Sequence, residues 1–300
     1  MREVVKRLKA IISQSNVTVN QQQNDNVVEK LVLDSVENSS YKGSSLEFNF
    51  HKMSINKMES TMTNKNILSE KNLNKILVSE IAAFISKIVN EGKDAKLWVQ
   101  LTLDYFSNNN INSKEIYNWL LNNQNDLDSI FLLGIFHYYG IETSKNYEKA
   151  FSLFINISEQ DHAWAQYYVG ECYYYGYGIT KNEKLAFEYY EKVENKDYAA
   201  GQTNLGYCYS NGIGVEKDFK MAAKWYEKAA NNRNVLAMNN LGLLYKNGDG
   251  VDKDHNKAFE LFKQSAEGGY SDGMNALGYC YENGVGIDVD KQKAFELYQR

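Results

Sequence analysis

Five glycines recur at a constant interval of 36 residues in the second half of the chain: Gly134, Gly170, Gly206, Gly242 and Gly278. Three further series keep the same interval: Gly140, Gly176, Gly212, Gly248 and Gly284; Ala150, Ala186, Ala222, Ala258 and Ala294; and Asn146, Asn182, Asp218, Asp254 and Asp290. Four residue series with the same 36-residue interval indicate an array of structural repeats rather than an ordinary globular domain.

The third copy, residues 201–230, shows the structural role of each recurring residue. Leu205, Cys208 and Tyr209 recur at helical spacing and predict one amphipathic helix, called helix A. Gly212 then ends this helix, because glycine adopts the left-handed backbone of a helix C-terminus without steric cost. Asp218 restarts a helix, called helix B, since its carboxylate accepts from the free N–H groups of a first turn. Each repeat is therefore a hairpin of two helices that buries its apolar stripe against its neighbours.

Two of the four recurring positions hold small residues, which predicts close contact between the two helices of a hairpin. Gly206 and Ala222 have almost no side chain and allow close approach of helix A and helix B. Met221, Ala222, Trp225, Tyr226 and Ala229 form the apolar stripe of helix B.

The repeats resemble the Sel1-like repeat family, which is related to the tetratricopeptide repeats. The matching words in the third copy are Asn-Leu-Gly206, Tyr-Ser-Asn-Gly212-Ile-Gly214-Val and Trp225-Tyr-Glu-Lys-Ala-Ala. Copies two, four and five match well, and copy one is degenerate because Glu142 replaces the second loop glycine. The resemblance covers roughly residues 127–300, about four and a half copies. It implies an all-α, right-handed solenoid of antiparallel helical hairpins, and members that act as adaptors and scaffolds rather than enzymes.

Composition and charge argue against several kinds of function. The chain has 300 residues and a formal net charge of −5, with acidic and basic residues interspersed, so no basic stripe predicts nucleic-acid binding. No apolar run approaches the ~20 residues of a membrane span. Charges interrupt the apolar residues of the N-terminus, which therefore does not resemble a secretory signal. We expect a cytoplasmic protein.

Three cysteines occupy the same position in their repeats, two residues after the helix-A glycine: Cys172, Cys208 and Cys280. Some bacterial relatives carry two cysteines per repeat, joined as a disulfide, whereas this chain has at most one per repeat. Packed helices lie ~8–10 Å apart, which exceeds the ~7 Å limit for a disulfide between adjacent repeats. We therefore interpret the cysteines as small apolar core residues of a protein in a reducing compartment.

The first 126 residues divide into three segments. Residues 1–12 predict a short amphipathic helix, and the word Met-Arg-Glu-Val-Val-Lys-Arg-Leu also resembles the last helix of a protein kinase C-lobe. Residues 13–66 are rich in Asn, Ser and Gln and predict a disordered linker. Residues 67–126 predict a helical N-terminal cap that ends in a decayed half-repeat. The last copy ends inside its helix B, so we expect further repeats in a longer protein.

The sequence contains no recognisable catalytic, phosphate-binding or metal-binding motif. The chain lacks the His-Arg-Asp and Asp-Phe-Gly words of a kinase, and its Gly-x-Gly loops connect helices rather than a strand and a helix. The four histidines have no metal-ligand spacing with the cysteines. We expect no catalytic residue, no metal, no cofactor and no small-molecule substrate.

The remaining candidate is a protein-binding surface on the concave face, which helix A lines in this hairpin geometry. Its predicted residues are Trp164, Tyr167, Glu171, Tyr174, Tyr175, Thr203, Tyr207, Ser210, Asn211, Asn239, Leu243, Lys246, Asn247, Asn275, Tyr279, Glu282 and Asn283. Aromatic residues with one polar group are favoured anchors of interfaces. The alternative is that many of these rings pack between helices, as in other repeat cores.

Two functional hypotheses follow from this sequence. The first is an interaction scaffold that binds another protein along the concave face, in signalling or as the activator of another enzyme. The second is the regulatory C-terminal part of a kinase-like protein whose catalytic domain is missing from this chain. An in-frame kinase domain upstream of Met1 would favour the second.

Overall fold

The computed structural model describes residues 70–194 and 198–299, and this part of the chain contains thirteen α-helices and no strand. The helices are α1 (Glu70–Asn90), α2 (Ala95–Asn108), α3 (Ser113–Asn122), α4 (Leu127–Tyr139), α5 (Tyr147–Ser158), α6 (Ala163–Tyr175), α7 (Glu183–Glu194), α8 (Ala199–Asn211), α9 (Phe219–Asn231), α10 (Val235–Asn247), α11 (His255–Glu267), α12 (Ser271–Asn283) and α13 (Lys291–Tyr298). The predictions for residues 1–12 and 13–66 lie outside the described residues. The helices α4–α13 form five consecutive A–B hairpins, which confirms the predicted all-α solenoid.

Within each hairpin, the helix-A glycine lies directly beneath an aromatic ring of helix B. A Cβ atom built on Gly206 would be 2.6 Å from Cδ1 of Tyr226, and one on Gly170 would be 2.7 Å from Cε1 of Tyr190. Both rings are buried. The glycine is therefore required by close approach, as the small-residue series predicts, and its partner is an aromatic residue rather than the alanine of helix B.

The loop between the two helices is built in the same way from copy to copy. Gly212 has a φ of +73° and ends α8, where its N–H donates to the carbonyl of Cys208. Asp218 accepts from the N–H groups of the first turn of α9, as predicted. The second loop glycine, Gly214, has a φ of +69° and lies against the backbone at the start of the preceding helix B, beside Glu183. This glycine sets the spacing between successive repeats.

The first copy has a different loop but a similar contact. Glu142, at the position of the second loop glycine, keeps the left-handed backbone with a φ of +57°. Its carbonyl accepts from Nζ of Lys114 in the first turn of α3, at 3.2 Å. In addition, Tyr117 of α3 stacks on Phe136 of α4, with ring centroids 6.0 Å apart. The helix α3 thus packs on the first hairpin much as a helix B packs on the next repeat.

The long helix α1 crosses several repeats at the N-terminal ends of their A helices. In repeat one, Oγ of Ser79 donates to Oδ2 of Asp128 at 2.6 Å. In repeat three, Oδ1 of Asn90 accepts from the N–H of Ala200 at 3.1 Å. The carbonyl of the next residue accepts from the N–H of the first residue of α10, in repeat four. Ser79 and Asn90 are separated by ~17 Å along a helix, the distance of about two packed helices.

The helix α2 covers the first repeat from the same side. Trp98 is 2% exposed and meets the ring of Tyr139 edge-on, with centroids 4.1 Å apart. Ile81 and Ile85 of α1 belong to the same apolar cluster as Trp98 and the buried residues of α4. The N-terminal helices therefore share one core with the first two repeats.

The described residues contain no helix that is both long and apolar enough to cross a membrane. Cys172, Cys208 and Cys280 are buried and free, as expected for core residues. Burial raises the pKa of the Cys172 and Cys208 thiols to about 12 and that of Cys280 to about 11. These thiols are therefore poor nucleophiles at neutral pH.

Candidate functional site

A row of large side chains remains exposed along the A helices of repeats two to five. Tyr207, Leu243 and Tyr279 occupy the same position in successive repeats and are 41%, 36% and 44% exposed. Tyr175 of repeat two, one turn further along its helix, is 54% exposed. We call the surface formed by these four residues the A-helix face. Aligned apolar groups on an otherwise polar surface are typical of an interaction site.

The A-helix face begins at repeat two because repeat one is covered. Ile135 stands at the position equivalent to Tyr207 and is fully buried. It lies in the apolar cluster that contains α1 residues and Trp98 of α2. The N-terminal helices thus occupy the part of the solenoid surface that the A-helix face would otherwise continue onto.

Most residues predicted for the concave surface are accessible in the structure. Those classed as exposed are Tyr175, Tyr207, Asn211, Leu243, Asn247, Asn275, Tyr279, Glu282 and Asn283, and those partly exposed are Tyr167, Glu171, Tyr174, Ser210 and Lys246. Their periodic spacing along helix A is the signal that found them.

Three residues predicted for that surface lie in the interior instead. Trp164, Thr203 and Asn239 are 7%, 2% and 5% exposed, and a partner has no access to them in this conformation. All three lie in the N-terminal halves of A helices, where the end of α1 contacts repeats three and four. Trp164 also meets the ring of Tyr198 edge-on at 4.9 Å. Trp164 therefore packs in the core.

The tyrosines at the boundary of repeats two and three contact one another. The hydroxyl of Tyr174 donates to that of Tyr207 at 3.3 Å, and the two rings are nearly perpendicular. Tyr175 stacks on Tyr177, with centroids 5.1 Å apart, and Tyr177 stacks on Tyr147 at 4.2 Å. The helix-A periodicity does not predict this three-ring stack, because Tyr147 lies at the start of a helix B and Tyr177 lies in a loop.

Glu171 is an acidic group among these rings. Its Oε1 accepts from the hydroxyl of Tyr190 at 2.7 Å and from Nδ2 of Asn204 at 2.8 Å. Burial raises the pKa of the Glu171 carboxyl, because removal from water disfavours the charged form, while the two hydrogen bonds act in the opposite direction. The A-helix face thus has a negative group with a raised pKa at its repeat-two end.

A positive group lies at the other end of the A-helix face. Nζ of Lys246 is 4.9 Å from the ring centroid of Tyr279, which is a cation–π contact between repeats four and five. Close to repeat two, Nζ of Lys181 lies 5.6 Å from the ring of Tyr174 and also pairs with Glu183 at 2.8 Å. The face therefore combines aromatic rings, amides and a few charges, the chemistry of a protein interface.

Within residues 70–194 and 198–299, no group of three histidine, cysteine or acidic side chains is arranged to hold a metal ion.

Comparison with known proteins agrees with this architecture. The family model described as Sel1 repeat matches residues 127–162, 165–193, 199–234, 235–270 and 271–300. The crystal structure of a Sel1 repeat protein from Oxalobacter formigenes is 30% identical, has a TM-score of 0.58, and aligns over 66% of this chain and 80% of that one. A protective antigen of uropathogenic Escherichia coli with an SLR fold is 24% identical, has a TM-score of 0.56, and aligns over 73% of this chain and 47% of its own length, a similarity of fold alone. No curated protein sequence matches the chain.

Proposed function

Since this chain belongs to the Sel1 repeat family, whose repeats generally mediate protein–protein interaction, we propose that it is a non-enzymatic adaptor that binds a protein along its A-helix face. The observation that carries the proposal is the exposure of Tyr175, Tyr207, Leu243 and Tyr279 in one row. Aromatic side chains of this kind supply large contact areas at a low cost in conformational entropy.

The geometry favours a partner segment that runs across the repeats. Tyr207, Leu243 and Tyr279 project from equivalent positions of three consecutive A helices, so their spacing is that of the packed repeats, ~8–10 Å. A peptide in extended conformation places every third residue at about this interval. We propose that the partner contributes an extended segment rather than a single compact structural element.

The finer role that we propose is that of an adaptor in signalling or an activator of another enzyme, in the cytoplasm. The three buried free thiols support a reducing compartment. Identification of the partner decides between the two roles.

A triple truncation of the A-helix face tests the proposal. In Tyr175→Ser, Tyr207→Ser and Tyr279→Ser combined, we expect at least a tenfold loss of affinity for the partner, because each interface anchor contributes ~2 kcal/mol or more. The partner is first identified by quantitative affinity purification with the wild-type chain and the variant in parallel. Its affinity for the purified chains is then measured by calorimetry.

The matched control truncates three exposed apolar side chains elsewhere. Leu103, Ile179 and Val289 are 39%, 36% and 57% exposed and lie off the A-helix face. Replacing all three by Ser should leave partner affinity unchanged, and circular dichroism melts check that both triple variants stay folded. Equal affinity of the Tyr variant and the control variant for every captured protein would refute the proposal.

A further inference from the structure

Glu171 breaks the pattern of the A-helix face. The equivalent positions in the other four repeats hold Ile135, Tyr207, Leu243 and Tyr279, all apolar or aromatic. Among the five repeats, only repeat two has a carboxyl group at this position. Glu171 remains partly accessible although it lies among tyrosines.

The carboxylate is held in place, but no described residue neutralises it. Tyr190 and Asn204 orient one of its oxygens through hydrogen bonds. No lysine or arginine among the described residues forms an ion pair with it. A partly buried carboxylate without a counter-ion is unfavourable, and a cation from outside would relieve this. The site therefore has charge complementarity for a positive group.

Burial raises the pKa of the Tyr175 hydroxyl, and the negative charge of Glu171 raises it further, so this ring lies close to the carboxylate. Tyr175 is the outermost ring of the stack with Tyr177 and Tyr147, and it is 54% exposed. Tyr207 is also exposed, and its hydroxyl is held by that of Tyr174. The faces of tyrosine rings attract cations, most strongly where the cation is partly removed from water.

The same face already holds a cation two repeats further on. Lys246 and Tyr279 occupy the positions equivalent to Tyr174 and Tyr207, and Nζ of Lys246 lies over the ring of Tyr279. At that boundary the chain supplies both the ring and the positive charge. At the boundary of repeats two and three it supplies rings and a negative charge, with a third tyrosine in place of the lysine. The nearby Lys181 lies over the ring of Tyr174 and pairs with Glu183, not with Glu171.

We propose that Glu171, Tyr174, Tyr175 and Tyr207 form a receptor site for an arginine side chain in a basic segment of the protein partner. A guanidinium group is planar, so it can stack on Tyr175 while its N–H groups donate to the carboxylate of Glu171. Lysine supplies charge but no planar surface. The inference rests on the proposed function and specifies the chemistry of the partner segment.

A peptide selection tests this directly. Random twelve-residue peptides displayed on phage are selected on the immobilised full chain, on Glu171→Gln and on the control Glu191→Gln, which removes an exposed charge from α7. We expect arginine to be enriched at one position on the wild-type chain and on Glu191→Gln, but not on Glu171→Gln. The glutamine side chain keeps an oxygen for Tyr190 and Asn204, so the fold should be preserved.

A substitution cycle with one selected peptide then measures the contact. Replacing its arginine by citrulline, which has the same shape without the charge, should weaken binding to the wild-type chain at least tenfold. On Glu171→Gln the same replacement should change affinity less than twofold. Lysine in place of arginine should give an intermediate affinity on the wild-type chain, and Tyr175→Leu should remove the preference for arginine over lysine.

The outcomes separate this inference from the proposed function. Peptides that depend on Tyr207 and Leu243 but show no preference for arginine would overturn the arginine site and leave the adaptor function standing. Peptides that bind independently of the A-helix face would argue against both. Failure to select any peptide, or an equal effect of citrulline on the wild-type chain and on Glu171→Gln, also overturns the arginine site.

Discussion

The contact between Gly206 and Tyr226 provides a sharp test of how the hairpins are held together. An added Cβ at residue 206 would lie 2.6 Å from Cδ1 and 2.7 Å from Cε1 of this ring. Tyr226 is 2% exposed, and its hydroxyl lies 3.3 Å from Oγ of Ser210, so the ring has little room to move. In Gly206→Ala, either the ring or one of the two helices must therefore shift.

Gly278 offers a matched control within the same protein. Its added Cβ would lie 2.6 Å from Cε1 of Tyr298, but Tyr298 is 45% exposed and can swing away. Both glycines lie inside an A helix, so alanine gains the same ~1 kcal/mol of helix propensity at each. The difference between the two variants isolates overpacking, which costs ~1–3 kcal/mol.

Thermal melts of the two variants, followed by circular dichroism, measure this difference. For a chain of this size, 1 kcal/mol corresponds to ~2–4 °C in Tm. We expect Gly206→Ala to melt ~2–12 °C below Gly278→Ala on the basis of that overpacking range. Equal melting temperatures, or a lower one for Gly278→Ala, would show that the buried ring is not what requires glycine at residue 206.

Two further predictions concern the loops and Glu171. Gly214→Ala should destabilise the chain more than Gly212→Ala in urea unfolding. Both glycines have a positive φ, but a Cβ at residue 214 would clash with the carbonyl oxygen of Glu183 and lie 2.7 Å from its carbonyl carbon, whereas at residue 212 the nearest atom is 3.5 Å away. Equal losses would contradict a close-contact role for Gly214. The pKa of Glu171 is higher in the folded chain than in the unfolded chain, so the protonated carboxyl favours folding. This contribution to the free energy of unfolding is fully present below the ordinary carboxyl pKa, and it is lost as the pH rises through the raised pKa. Glu171→Gln should therefore be more stable than the wild-type chain at pH 7 and equal to it near pH 4 in thermal melts. The control Glu260→Gln, which removes an exposed charge from α11, should show no such gain. A Glu171→Gln variant less stable than the wild-type chain at pH 7 would refute this assignment.

The repeated part of the fold follows directly from the sequence. The glycine and Asn/Asp series predicted where helices end and begin, because left-handed backbone and N-terminal capping impose local requirements on residue type. The exposed row of Tyr207, Leu243 and Tyr279 was also predictable, since the spacing of helix A determines which side chains face away from the core.

The placement of α1 was not predictable in the same way. The sequence predicted a helical cap over residues 67–126, but a helical pattern does not specify which surface the helix will pack against. The interior positions of Trp164, Thr203 and Asn239 depend on tertiary contacts that have no counterpart in the repeat periodicity. The position of Glu171 between Tyr190 and Asn204 was equally hidden, because these three residues come from three different helices.

The crossing of α1 has a consequence for the A-helix face. In a simple solenoid each repeat contacts only its neighbours, so small rotations between repeats accumulate along the array. Here a single helix is hydrogen-bonded to repeats one and three, and the residue after it to repeat four. This bridge restrains the rotations that would change the spacing between Tyr175, Tyr207 and Leu243. A face whose anchors are held at fixed spacing loses less conformational entropy on binding. We therefore expect α1 to favour the proposed partner binding by preorganising a surface that it does not itself form.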